Sequence, residues 1–231
     1  MDQPEAPCGS ETVIIAIDGP AASGKSTVAR ALAARLGYRF LNSGDLYRAM
    51  TWACLRLHVD CRDTGAVASA AGNARVEIGC DGANYYPLID GGDPRSDLRR
   101  EEINANVSPV SAVPAVRYIL SAAIRAHAQG RQTVVEGRDI GSAVFPETPY
   151  KFYIDAPPQV RQRRRRNQGQ TEEIAKRDLI DSTRSTDPLT IAPGATVIDS
   201  STLDVEGVVS AMLQKLKAQG LETAIAACSK E

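Results

Sequence analysis

Apolar and polar positions alternate between two periods along this chain. The run Thr12–Gly19 is apolar and β-branched and ends in glycine, which predicts a buried parallel strand. Val28, Leu32 and Leu36 then recur at helical spacing, and Gly37 closes the predicted helix. Residues 38–41 predict a second strand and residues 43–57 a second helix. Three further strand-like runs follow, at 132–136, 150–156 and 195–200. Helical stretches lie at 114–129, from 158 to about 168, from 172 to about 185, and at 204–219. Strands alternating with helices predict an α/β fold, a parallel five-stranded sheet covered by helices on both faces. Ligands of such a sheet belong at the carboxyl ends of its strands. From Arg75 to Glu102 the alternation breaks. Turn signals at residues 81–84 and 91–94 there predict a small antiparallel β insertion on one edge of the core.

Composition narrows the classes. The 231 residues are 43% hydrophobic and 24% charged, as in a soluble globular protein, with a formal net charge of -1. No apolar run approaches the ~20 residues of a membrane span. Residues 1–11 are acidic with no apolar core, so a tail is expected there and not a signal peptide. The five cysteines include no CxxC pair, which favours a reduced, cytoplasmic protein. Only two histidines are present, so a histidine-rich metal site or a Ser-His-Asp triad is disfavoured.

The chemistry begins at Gly19–Ser26, which fits G-x-x-x-x-G-K-[ST] between a strand and a helix. Backbone N–H groups and the helix N-terminus would wrap a phosphate. Lys25 would reach the β- and γ-phosphates, and Ser26 would ligate Mg²⁺. A chance match in a glycine-rich turn is the bland alternative. No N-K-x-D guanine signature occurs, and a motor ATPase would be longer, so a small kinase fits best. Such a kinase needs a second anion site. Candidates follow other strands: Ser43, Tyr47 and Arg48; Glu136, Arg138 and Asp139; and Arg177, Asp181 and Arg184 on one helix face. The bland alternatives are solvated surface arginines for Arg48 and Arg177, an ordinary polar turn at residues 137–139, and an i, i+3 ion pair for Asp181 and Arg184.

Five arginines crowd into residues 161–166. Arg161, Arg164 and Arg165 share a helix face, while Arg163 and Arg166 point elsewhere. A nucleic-acid patch, a targeting tag, a solvated face and a clamp on a charged substrate are the competing readings.

Taken together, residues 15–27, 41–49, 104–117, 134–146 and the R-x₃-D-x₂-R pattern from Arg177 resemble the bacterial cytidylate kinases of the nucleoside monophosphate kinase group. The resemblance runs from about Val13 to Lys217. It implies transfer of the ATP γ-phosphoryl group to CMP or dCMP. A cytoplasmic monomer with neither nucleic acid nor membrane as partner is the expectation. It implies an ATP loop of Gly19, Pro20, Ala21, Ala22, Ser23, Gly24, Lys25, Ser26 and Thr27, with Mg²⁺ on Ser26 and, through water, Glu136. Arg48, Arg138 and Arg184 would grip the CMP phosphate. Ser108, Arg117 and Asp139 would read cytosine, and Ser43, Tyr47, Arg177 and Asp181 would surround the nucleotide. Lys25, Arg161, Arg164 and Arg165 would act in catalysis. The implied domain spans 12–220, with core 12–42, 116–160 and 173–220. A nucleoside monophosphate-binding region would cover 43–115, a lid 161–172 and a C-terminal extension 221–231.

Overall fold

The computed structural model describes residues 12–167 and 174–221. The expected tail, part of the expected lid and nearly all of the C-terminal extension lie outside the described residues. In chain order the elements are β1 (Val13–Asp18), α1 (Lys25–Leu36), β2 (Arg39–Asn42), α2 (Ser43–Arg56), α3 (Thr64–Asn73), β3 (Val76–Asp81) and β4 (Asn84–Ile89). There follow α4 (Glu101–Ala112), α5 (Pro114–Ala128), β5 (Gln132–Glu136), a π-helical turn (Ile140–Val144) and β6 (Tyr150–Asp155). The last four are α6 (Pro158–Asn167), α7 (Ile174–Thr183), β7 (Thr196–Asp199) and α8 (Val205–Ala218).

All five expected parallel strands are present, in the order β2-β5-β1-β6-β7. β1 is central: Ile15 pairs with Val134 on one side and with Tyr150 on the other. Its side chains alternate between faces as a pleated strand requires. Ile14 and Ala16 pack with Leu41, Met50 and Leu120 under α2, α4 and α5. Ile15 and Ile17 pack with Leu32, Val208 and Met212 under α1 and α8. Burial on both faces explains why β1 reads as a continuous apolar run.

The structure corrects the sequence reading in two places. The insertion is a two-stranded hairpin, β3–β4, that ends at Ile89 and does not run to residue 102, because α4 begins at Glu101. It also continues the main sheet: Phe40 pairs with Asn84, and its N–H donates to Ala83 O at 2.9 Å, which extends the sheet to seven strands. The second correction is that α3 and α4 lie where no helix was expected. Pro109 falls inside α4, and α3 is built mainly from small residues with only Val67 and Ala71 buried. Both weaken the apolar periodicity that betrays a helix. Among the described residues no single helix is long and apolar enough to cross a membrane; α4 and α5 together pass that test but meet at 94°. Both helices supply the core, through Val107, Val110, Val116 and Leu120.

Candidate active site

The carboxyl end of β1 delivers the chain into the glycine-rich loop. Gly19 has φ +146, and a Cβ there would stand 2.1 Å from the Ile154 carbonyl oxygen of β6, so a side chain at this position is excluded. Lys25 opens α1 and is 4% exposed. Its ammonium donates to Pro20 O at 2.7 Å and lies 3.5 Å from Ser23 Oγ, folding back over the loop. Burial, reinforced by Arg138, pushes that ammonium down to about 7. A phosphate entering the loop would supply the missing negative charge. Ser26 Oγ donates to Glu136 Oε1 at 2.6 Å, bringing together two hard oxygen ligands from α1 and β5.

Opposite the loop, ends of β2 and β5 and faces of α2, α4 and α7 complete one cavity of about 290 Å³. Ala21, Ala22, Gly24, Lys25, Ser26 and Thr27 line it on the loop side. Ser43, Tyr47, Arg48, Ser108, Glu136, Arg138, Asp139, Arg177, Asp181 and Arg184 line the other. Around the whole cavity seven cationic side chains face four carboxylates, so it favours a polyanion.

The charges are wired into a chain. Arg138 Nε donates to Asp181 Oδ2 at 2.9 Å, and Arg184 Nη1 lies 3.9 Å from Asp181 Oδ1. Arg184 Nη2 donates to Asp139 Oδ1 at 3.2 Å, while Arg117 Nη2 donates to Asp139 Oδ2. Burial opposes ionisation of Asp181, but Arg138 and Arg177 outweigh it and hold the carboxyl below its usual range. Burial and the nearby Arg117 pull the Arg184 guanidinium down. Burial and the Asp139 carboxylate push the Tyr47 phenol up, keeping it a neutral hydrogen-bonding group. Arg48 bonds Asn104 Oδ1 and, at 3.3 Å, Leu98 O, which ties α2 to the start of α4.

Six expected residues do not line the cavity. Gly19, Pro20 and Ser23 shape the loop from behind. Arg117, 1% exposed, lies behind Asp139, held also by Asp187 Oδ2 at 3.1 Å and Ser111 O at 3.2 Å. Arg161 is buried and bonds Ala156 O at 2.9 Å, Ala21 O at 3.1 Å and Asp178 Oδ2 at 2.5 Å. Arg164 bonds Ser23 O at 3.2 Å and Ser200 O at 2.6 Å. Of the three arginines expected to share a face, only Arg165 reaches the cavity wall. Arg163 and Arg166 are exposed, as the helical spacing predicts.

Sequence reasoning missed Asp45 and Arg99, an ion pair at 2.7 Å on the cavity wall, and three further carboxylates. Asp178 accepts from Ala21 N–H at 3.2 Å as well as from Arg161, joining α7 and α6 to the loop. Asp187, at φ 47, accepts from Arg117 through its carboxylate and from Arg184 Nε through its carbonyl at 2.7 Å. Asp18 is a buried acid at the end of an apolar strand, and that anomaly was the readable signal.

A family model described as cytidylate kinase matches residues 15–218. The cytidylate kinase of Mycobacterium leprae is 39% identical over 217 residues, covering 89% of this chain and 96% of that one. That of Caldanaerobacter subterraneus subsp. tengcongensis is 40% identical over 217 residues, covering 89% and 95%. That of Rhodococcus opacus is 39% identical over 216 residues, covering 88% and 94%. A phosphate loop and an arginine–aspartate network facing each other across one cavity, with this likeness along nearly the whole chain, lead to one assignment: the chain belongs to the cytidylate kinase family.

Proposed function

We propose that the chain transfers the γ-phosphoryl group of ATP to CMP or dCMP, giving ADP and CDP or dCDP. The observation that carries this reading is that the loop and the arginine–aspartate network share a single cavity. ATP phosphates occupy the loop, with Lys25 on the β- and γ-phosphates. Ser26 and Glu136 fit Mg²⁺, a small hard ion that takes one or two protein oxygens and keeps its remaining sites for water and phosphate. Bound there, it would supply neutralising charge to the β- and γ-phosphate oxygens.

On the acceptor side Arg48, Arg138 and Arg184 hold the CMP phosphate, and Arg177 and Asp181 lie toward the sugar. Asp139 and Ser108 face the base. A carboxylate accepts from the N4 amine of cytosine and repels the O4 of uracil. Arg117 acts through Asp139, whose orientation it fixes from behind. The nucleophile is a phosphate oxygen whose second pKa is about 6, so it needs no general base at neutral pH. What the chain must do is bring two polyanions into line and keep water out. Arg165, on the cavity wall, meets the transferring phosphoryl group. Residues 161–172 act as the lid, and Arg161 and Arg164 anchor its helix to the loop. That anchoring also favours the lid over a nucleic-acid patch, because two of the five arginines point inward.

Initial rates with ATP and Mg²⁺ against CMP, dCMP, UMP, AMP and GMP test the reading. CMP and dCMP should fall within about 10-fold of each other in kcat/KM. UMP should fall about 10²-fold or more below them, since a site built for hydrogen bonds is left unpaired by the wrong base. Equal kcat/KM for CMP and UMP would overturn it.

A further inference from the structure

Asp18 ends β1 one residue before the glycine-rich loop, and the transfer reaction described above has no step for it. It is 3% exposed. Both carboxylate oxygens are engaged: Oδ1 accepts from Ile140 N–H at 2.8 Å and Oδ2 from Gly141 N–H at 2.7 Å. Those amides open the π-helical turn that directly follows Arg138 and Asp139. The other end of the turn is held by the opposite charge. Arg125 of α5 donates through Nε to Val144 O at 2.7 Å and through Nη2 to Ala143 O at 2.7 Å. Isolated π-helical turns are rare and cluster at functional sites. Here an anion at the amide end and a cation at the carbonyl end match the peptide dipoles and hold the turn in place.

We propose that Asp18 is a positioning residue for the acceptor nucleotide. By gripping the turn after Asp139, it fixes Arg138 and Asp139 relative to the phosphate loop that begins at the next residue. The proposal rests on the CMP reading above. The site retains this carboxylate at a cost. Burial pushes it up to about 6 despite the two backbone donors, with Asp139 adding to the rise and Lys25 opposing it. An asparagine here would give one N–H an acceptor and turn its own amide donor toward the other, so the brace requires the acid.

Asp18→Asn and Arg125→Met act on opposite ends of the turn, and Arg125 is remote in sequence from the loop. Two measurements decide the matter: amide hydrogen exchange without nucleotide, and steady-state kinetics in both substrates. Exchange over residues 139–144 should accelerate at least 10-fold in both variants, with the rest of the sheet unchanged. The KM for CMP should rise at least 10-fold while the KM for ATP stays within about 3-fold. Unchanged exchange across the turn, or an unchanged KM for CMP, overturns the proposal. So does a rise confined to the KM for ATP, which would mean that Asp18 serves only the loop it adjoins. If Asp18→Asn does not fold, Arg125→Met alone carries both measurements. The exchange experiment needs no substrate. A parent protein that does not phosphorylate CMP would therefore refute the acceptor reading, while exchange still judges the brace.

Discussion

Gly137 shows how little room single positions leave. It stands between Glu136 and Arg138, and its N–H continues the β5–β1 ladder to Ile17 O at 2.9 Å. A Cβ there would lie 2.5 Å from Ser43 Oγ and 2.7 Å from Ile140 Cγ1, both buried side chains. Gly137→Ala should therefore cost about 1–3 kcal/mol of stability, as overpacking does. It should lower kcat/KM by more than that loss explains, because the displaced backbone carries a carboxylate and an arginine of the site. Parental activity in a thermally unchanged variant would refute the packing account. At this scale the sequence revealed residues whose role is set by near neighbours: Lys25 and Ser26 belong to one contiguous loop. Asp178 was hidden because its partner Ala21 lies 157 positions away. Asp187 was hidden because its partner Arg117 lies 70 positions away.

Among the elements, α6 separates by face. Arg161 and Arg164 grip carbonyls of the phosphate loop, Arg165 faces the cavity, and Arg163 and Arg166 face solvent. Arg165→Ala should lower kcat by about 10²-fold or more, since an arginine that stabilises the transferring group acts mainly in the transition state. Arg161→Ala should instead raise the KM for ATP and reduce stability, leaving Asp178 without the guanidinium at 2.5 Å. Arg163→Ala and Arg166→Ala should stay within about 2-fold of the parent in both constants. Steady-state kinetics of the four single variants check this division. Similar losses from all four would point to a diffuse basic surface and sink it. Helical spacing was enough to tell Arg163 and Arg166 from the rest. It did not reveal α3, although Asp63 caps that helix by accepting from Gly65 and Ala66 at 2.9 and 3.0 Å. A cap without an apolar stripe behind it reads as a turn. The hairpin was legible from its own turn, but its pairing with β2 rests on the bridge from Phe40 to Asn84, which local pattern does not encode.

For the molecule as a whole, the sheet sets both sites at the carboxyl ends of its strands and two apolar clusters hold its faces. The cavity lining carries more cationic side chains than carboxylates, and Lys25 is its most confined cation. Its ammonium is buried, with neutral oxygens of Pro20 and Ser23 as its hydrogen-bond partners. A buried cation without a paired carboxylate costs stability, and a triphosphate in the loop reverses that cost. Lys25→Met should thus melt at the parental temperature or above it without nucleotide. ATP at 100 times its Kd should stabilise the parent by about 2.7 kcal/mol. For a domain of this size that is roughly 5–10 °C in Tm. At the same ATP concentration the variant should show less than about half that shift, and its kcat should fall at least ~10²-fold. Thermal melts with and without ATP separate the contributions. A variant that melts well below the parent in the absence of nucleotide would show Lys25 to be part of the fold. One with a full ATP shift would show that the phosphates lie elsewhere. Only a selective loss of the ligand-induced part places the charge of Lys25 in the service of the nucleotide.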